Sequence, residues 1–341
     1  VVEGYLNMSI KVTVGIVARN EEEYLARTLE SLVDQDFPPD EYEVLVVDGD
    51  SQDHTREVAR RVLEESGLQH LVYNEKDYGS SGLCFARNLV IDNSDAEARY
   101  IAYTDADCIL ARDWLRTLYQ AVESSGGDVA GAGGPRLIAP TPSKKELVIN
   151  AFITSLVASG GNPAFSQRKV AYLESIPNYN AIYKKEIISK FRYDESLVIS
   201  DDHELNFRLH QAGYLFQYLP EARVYHRETD SVVQFTRNMF RYGFNMASLL
   251  RKHLHFFKVK VILTLTMLAY LILLVPLYLL LGSLALVPPL LYLVYAVLAW
   301  VEVLLRTRTL WSLMVFLLMP LQHLAYACGV IYNFLTPHRR V

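Results

Sequence analysis

"EVLVVDGDSQDHTREVARRVLEES", residues 43–66, reads as an apolar strand, an acidic turn and a helix, in that order. The same grammar surrounds it. "KVTVGIVA" (11–18) precedes "EEEYLARTLESLVDQ" (21–35), where Leu25, Leu29, Leu32 and Val33 fall on one helical face. "HLVYN" (70–74) leads through "YGSSG" into "LCFARNLVID" (83–92), and "YIAYTD" (100–105) leads into "RDWLRTLYQAVES" (112–124). Strands alternating with helices predict an α/β fold: a mostly parallel sheet covered by helices on both faces. Asn20 is the expected N-cap of the first helix, with Glu21, Glu22 and Glu23 suited to its positive end. "GAGGPR" (131–136) has no GxGxxG spacing and opens no helix, so a strand and turn are expected there rather than a phosphate loop.

The 341 residues are 51% hydrophobic with a net charge of −5. The apolar share is uneven. Residues up to 257 have the mix of a soluble domain, whereas Val259–Leu281, Leu284–Leu305 and Leu310–Leu335 each suit a bilayer core about 30 Å thick. Glu302 is the single acidic residue in those three segments. Arg237, Arg241, Arg251, Lys252 and Lys258 precede the first and Lys260 stands at its start, the link at Gly282–Ser283 is uncharged, and Arg306 and Arg308 follow the second. That bias predicts a multi-pass protein of the cell membrane with its large domain in the cytoplasm. Pro320 and the pair Gln322–His323 interrupt the third segment, and three full spans would put Arg339 and Arg340 outside. A full span and a re-entrant segment are both open readings of it.

The opening "VVEGYLN" begins at Val1 rather than Met and has no secretory-signal pattern. Cys84, Cys108 and Cys328 are scattered, which argues against a disulfide framework or a zinc cluster and suits a reducing compartment. Weak acidity, with no basic tract outside the approach to the apolar segments, argues against a nucleic-acid partner. The oligomeric state is not legible.

Polar residues gather where the strands end: Arg19–Asn20, Asp48–Asp50, and Asp105–Asp107. In open α/β sheets ligands bind beyond the carboxyl ends of the strands. Two carboxylates at i and i+2 leaving a buried strand suit a hard divalent cation, Mg²⁺ or Mn²⁺, that binds diphosphate oxygens. A helix cap at Asp107 or Asp113 is the plainer reading of such a pair. It leaves the acidic turn "VDGDSQDHT" and the doubled aspartate of "SDDHEL" (200–205) unexplained.

Together with "ARN" (86–88), "DAD" (105–107) and "VYHRE" (224–228), these stretches resemble glycosyltransferase family 2 over residues 10–245. The resemblance implies a GT-A fold and an inverting, metal-dependent transfer from a nucleotide-sugar. It carries donor binding onto Ala18, Arg19, Asn20, Glu22, Asp48, Asp50, Arg87, Asp105, Ala106 and Asp107. Asp48 would meet the base or ribose, Arg87 the diphosphate or base, and Asp105, Asp107 and His226 the Mn²⁺ or Mg²⁺ ion. Asp202 is the expected general base, with Asp201 its rival; an Asx turn to Ser51 is the structural alternative for Asp48.

"QFTRN" (234–238) departs from the QxxRW of processive synthases by lacking the tryptophan, though Gln234 and Arg237 are kept and Arg241 follows. Those three, with Asn180 and Asp201, are the expected contacts of the acceptor or diphosphate. Residues 1–230 are read as the cytoplasmic GT-A domain, 231–258 as amphipathic interfacial helices, and 259–341 as the transmembrane region. The reading that results is addition of one sugar, from a UDP-sugar first, to a lipid-linked acceptor such as a polyprenyl phosphate or polyprenyl-diphosphate glycan. A processive polysaccharide synthase and a non-catalytic membrane scaffold are the alternatives.

Overall fold

The computed structural model describes residues 9–160, 169–197, 201–257 and 259–336. Val1, Ser200, Lys258, Arg339 and Arg340 lie outside the described residues, as does the side chain of Lys260. The chain divides into two compact units, Val1–Pro140 with Pro163–Arg227, and Thr141–Asn162 with Glu228–Val341.

The strands of the first unit are β1 (Val12–Ala18), β2 (Tyr42–Asp48), β3 (Gln69–Asn74), β4 (Tyr100–Asp105), β5 (Cys108–Leu110), β6 (Val129–Gly133), β7 (Arg136–Ile138), β8 (Ala171–Leu173), β9 (Asn180–Lys184), β10 (Leu215–Tyr218) and β11 (Val224–His226). The large sheet has the order β3-β2-β1-β4-β9-β6-β10-β8. As expected, it is mostly parallel: β3, β2, β1 and β4 run together and β10 runs with β6, while β9 lies antiparallel between β4 and β6. A second sheet, β5-β11-β7, stands apart from it. "GAGGPR" is the strand and turn joining β6 to β7.

The helices follow in chain order. The first unit holds α1 (Leu25–Val33), α2 (Thr55–Ser66), α3 (Leu83–Asn93) and α4 (Trp114–Glu123). α5 (Lys144–Ile153) and α6 (Leu156–Ser159) belong to the second unit, and α7 (Lys185–Phe191) and α8 (Asp201–Gln211) return to the first. Leu25, Leu29 and Leu32 bury the face that the sequence predicted for α1, against Val14, Ile16, Val44, Val46 and Trp114. Each such side chain contributes about 1.5–3 kcal/mol by leaving water.

The cap of α1 differs from expectation. Tyr24 occupies the N-cap position without a side-chain hydrogen bond, and none of the glutamates lies in the first turn. Asn20 sits earlier, in the left-handed region at φ 55°, where its Oδ1 accepts from Gln52 N at 2.8 Å and its own N–H donates to Ser51 Oγ at 2.9 Å. Asn tolerates that conformation because its short amide bonds locally. The residue ties the ends of β1 and β2 together instead of starting a helix.

The second unit adds α9 (Val232–Lys252), α10 (Val259–Leu281), α11 (Val287–Thr307) and α12 (Val315–Leu335), with 3₁₀ turns at Gly282–Leu286 and Leu310–Met314. Two stretches, Val261–Thr307 and Leu310–Leu335, are long and apolar enough to cross a membrane by length and composition. Glu302 has a local role. It accepts from Ser155 Oγ (2.5 Å), Leu156 N (3.1 Å) and Val157 N (3.0 Å), and so caps α6 from α11.

Candidate active site

Parallel register brings the polar strand ends to one edge. Ala18 pairs with Asp48, Asp48 with Asn74, and Val17 with Asp105, so the carboxyl ends of β1, β2 and β4 lie level. Asp48 is fully buried. Its Oδ2 accepts from Ser51 N at 3.0 Å and pairs with Arg56 at 3.3 Å, so the Asx turn exists, but Oδ1 is buried with no partner. A carboxylate oxygen left so is costly unless something donates to it. Asp50 faces Lys76 at 2.6 Å, and that ammonium holds its carboxyl below the ordinary value.

The small sheet supplies what β4 lacks. β11 runs antiparallel to β5, which sets His226 opposite Cys108. His226 Nε2 then lies 3.4 Å from Asp107 Oδ1 and 3.9 Å from Asp105 Oδ2. Its Nδ1 is 2.5 Å from the Arg227 carbonyl and 3.4 Å from Arg136 Nη2, and a proton on Nδ1 would leave the Nε2 lone pair toward the carboxylates. Asp107, Cys108 and His226 bring ligand atoms within 4.8 Å of one another. Burial raises the Asp107 carboxyl, and the like charge of Asp105 adds to that against the pull of His226. Asp107 caps nothing: Asp113 holds the N-cap position of α4, without a side-chain bond.

Arg87 of α3 is buried, pairs with Asp105 Oδ1 at 3.3 Å and with Asp201, and lies over the Tyr103 ring at 5.1 Å. Asp201 is buried and accepts from Asn178 Nδ2 at 2.8 Å as well. Expected beside the acceptor, it is instead occupied in holding Arg87. Asp202, next in the first turn of α8, is partly open and 2.9 Å from His203 Nδ1. Burial raises its carboxyl, but His203 and the charge of Arg87 outweigh that and hold it below the usual range. The two aspartates thus divide into a buried ion pair and a partly exposed carboxylate.

Asn180 is a correction. It was expected to face the acceptor, but it is fully buried, donating to the carbonyls of Pro135 (3.1 Å) and Ala222 (2.7 Å) and accepting from Trp114 Nε1 (2.8 Å). The amide nitrogen ties β9 to the chain before β7 and β11, and the amide oxygen ties it to α4. Ala106 is buried and its carbonyl accepts from Thr28 at 2.7 Å. Glu22 binds the turn after β2 through His54 N (2.9 Å), and Arg19 and Asn20 are exposed beside it. Gln234 and Arg237 belong to the second unit, bonded within α9 to Asn238 (2.9 Å) and to each other (3.1 Å); Arg241 follows on the same helix, its Nε buried without a partner.

Sequence reasoning passed over Glu21 and Tyr179. Burial, then the charges of Asp107 and Asp105, push Glu21 up to about 7, so it stands close to that pair. Tyr179 sets its ring edge-on to His226 at 5.7 Å and leaves its hydroxyl buried with no partner. The triple acid "EEE" was a visible signal for the first; nothing in the sequence marked the second.

Residues 13–190 match the family model described as Glycosyl transferase family 2. The chain belongs to glycosyltransferase family 2. It is a glycosyltransferase, with the GT-A fold. A dolichyl N-acetyl-alpha-D-glucosaminyl phosphate 3-beta-D-2,3-diacetamido-2,3-dideoxy-beta-D-glucuronosyltransferase of Methanococcus voltae is 24% identical over 71% of this chain and 74% of its own length. Glycosyltransferase AglE of Haloferax volcanii is 32% identical over 35% of this chain and 38% of its own. Among solved structures, the mannosyltransferase PcManGT from Pyrobaculum calidifontis, in complex with GDP-Man and Mn2+, superposes with a TM-score of 0.57 at 17% identity, over 96% of this chain and 88% of that one. The likeness in fold covers what the family match of residues 13–190 leaves out.

Proposed function

We propose that this family 2 glycosyltransferase moves one sugar from a nucleotide-sugar, with UDP-sugars the first choice, to a lipid-linked acceptor at the cytoplasmic face of the cell membrane, inverting the anomeric carbon. The observation that carries the reading is the division of labour at one sheet edge: Asp105, Asp107 and His226 converge, and Asp202 stays partly exposed while its neighbour Asp201 is paired.

The converging set fits a divalent ion. Two hard carboxylate oxygens and an imidazole nitrogen stand 3.4 and 3.9 Å apart, close to the roughly 3 Å between neighbouring ligands of an octahedral ion with bonds of about 2.1 Å. Mg²⁺ or Mn²⁺ would be held by those three residues, and when bound it neutralises negative charge on the departing nucleoside diphosphate.

The remaining work belongs to the chain. Asp48 Oδ1 accepts from the imide N–H of a base or from a ribose hydroxyl, which answers its missing partner. Arg87, locked by Asp201, offers Nη1, buried and unpartnered, to the donor. Asp202 takes the proton of the acceptor hydroxyl, and the oxygen of that hydroxyl bonds to the anomeric carbon as the bond from that carbon to the diphosphate oxygen breaks, the electron pair leaving on the diphosphate. Gln234, Arg237 and Arg241 are the cationic and amide groups proposed for the diphosphate or acceptor. The apolar helices support a lipid acceptor, as does the M. voltae relative, whose name specifies a dolichyl-linked sugar phosphate. The GDP-Man and Mn2+ in the P. calidifontis protein support a nucleotide-sugar and a divalent ion.

Mass spectrometry of products tests the proposal. Detergent-purified protein would meet Mn²⁺, UDP- and GDP-sugars and a panel of polyprenyl lipids. A lipid gaining one sugar mass is the expected result. A ladder of masses would replace it with the processive reading, and no product or released nucleotide from any pair would overturn it.

A further inference from the structure

We propose that Tyr179 recognises the sugar being transferred: its hydroxyl hydrogen-bonds a hydroxyl of that sugar, between the base Asp202 and the group formed by Asp105, Asp107 and His226. This rests on the donor site and base proposed above and adds to them the side chain that meets the sugar itself.

Tyr179 is held at a fixed place. It lies in a turn closed by the Asn180 N–H, which donates to Pro177 O at 3.1 Å. Its own carbonyl accepts from Thr104 Oγ1, on β4, at 3.1 Å. The residues on both sides are buried and bonded. Asn178 donates to Asp201 at 2.8 Å, and Asn180 donates to Pro135 O and Ala222 O and accepts from Trp114. So anchored, the Tyr179 ring stands edge-on to His226, with 5.7 Å between centroids.

The neighbouring tyrosines show how this fold ordinarily treats a phenol. Tyr103 donates to Arg87 O at 2.9 Å, and Tyr183 and Tyr193 donate to Asn178 Oδ1 at 2.9 and 3.1 Å. Among the described residues, the Tyr179 hydroxyl is the one buried hydroxyl without a partner. An unmet buried hydroxyl weakens a fold, and phenylalanine would fill the same space without that cost. Packing gains nothing from this oxygen, which points to a ligand. Burial raises the hydroxyl well above its ordinary value; Arg136 opposes the rise, while Asp202, Cys108 and Asp105 add to it. The group therefore stays O–H, able to donate and to accept, and it feels the charges of both Asp202 and Asp105.

That place is where the sugar must be. Inversion requires the incoming and leaving oxygens to stand on opposite faces of the anomeric carbon. With the diphosphate at Asp105, Asp107 and His226 and the base at Asp202, the sugar lies between them, beside Tyr179. A neutral phenol suits a neutral sugar hydroxyl better than a phosphate, whose charge calls for a cation. Tyr179 as a whole is half-buried, so turning its hydroxyl onto a bound sugar needs only a side-chain adjustment of the kind that ordinarily accompanies binding.

Tyr179→Phe keeps the ring and removes only the hydroxyl. The full chain in detergent with Mn²⁺ would be titrated calorimetrically with UDP, GDP, UDP-glucose, UDP-N-acetylglucosamine and GDP-mannose, and its melting temperature recorded. In the variant, affinity for the nucleotide-sugar that wild type binds should fall about fivefold to tenfold. The matching bare diphosphate should bind as before, and the melting temperature should be unchanged or raised. Nucleotide-sugar affinity equal to that of wild type would overturn the proposal. So would a lower melting temperature with both ligands weakened alike, which would give the hydroxyl to the fold. Wild type that binds none of the three nucleotide-sugars would overturn the donor reading itself, and the proposal with it.

Discussion

At the residue scale, chemistry is assigned by which oxygens are already taken. Asp201 spends its carboxylate on Arg87 and Asn178, whereas Asp202 is partly exposed and, among the described residues, bonds to His203. Asp202→Asn should therefore keep donor binding in a nucleotide-sugar titration while transfer falls by about 10²–10⁴-fold. Asp107→Ala should lose both transfer and tight donor binding; wild-type turnover in either variant would sink its assignment. A carboxylate held below its ordinary value stays ionised until the pH falls through that lowered value. Replacing His203 by Gln removes part of what holds Asp202 down, so the acid limb of the rate profile should move to higher pH than in the wild type. An unmoved limb would mean that another group sets it. Arg87→Met would strand Asp201 in a buried place. Breaking such a pair costs about 3–5 kcal/mol, and chemical denaturation should report a loss of that size. The doubled aspartate was plain in the sequence, but which one is free was not, because that depends on Arg87 arriving from a helix more than a hundred residues earlier.

At the scale of elements, the long parallel strands were legible and the small sheet was not. β5, β7 and β11 are each three residues long and pair across wide separations, and no periodicity can be read from so few positions. Yet this sheet delivers His226. Its seat depends on Gly134, where a Cβ would stand 2.1 Å from Ala222 O. Gly134→Ala should push Ala222 and the strand after it outward, lower the melting temperature through a loss of about 1–3 kcal/mol, and weaken Mn²⁺ affinity measured by calorimetry. A variant that melts lower with unchanged affinity would detach His226 from the ion. The cap of α1 failed from sequence for a related reason. Asn20 has a good capping side chain, but the turn after β2 offers it Gln52 N and Ser51 Oγ first.

At the scale of the whole molecule, one unit of alternating strands and helices is interrupted by residues 141–162, which join the long apolar helices after residue 228 in a second unit. A hard-cation site built from carboxylates and one imidazole predicts that excess EDTA abolishes transfer, and that Mn²⁺ or Mg²⁺ restores it. Full activity in a chelator, after dialysis against it, would remove Asp105, Asp107 and His226 from the role proposed.

The alternation of strands and helices up to residue 124, the apolar segments and the placing of Asp48, Asp105 and Asp107 at strand ends were determined by the sequence itself. They follow from local periodicity and from where an apolar run stops, which neighbouring residues encode. Only the tertiary structure decided that Asn180 ties β9 to α4, that Asp201 pairs with Arg87, that Tyr179 stands beside His226, and that α9 and α12 share an interface. Each is a contact between positions far apart in the chain, and side-chain type alone does not say which partner a buried polar group will meet.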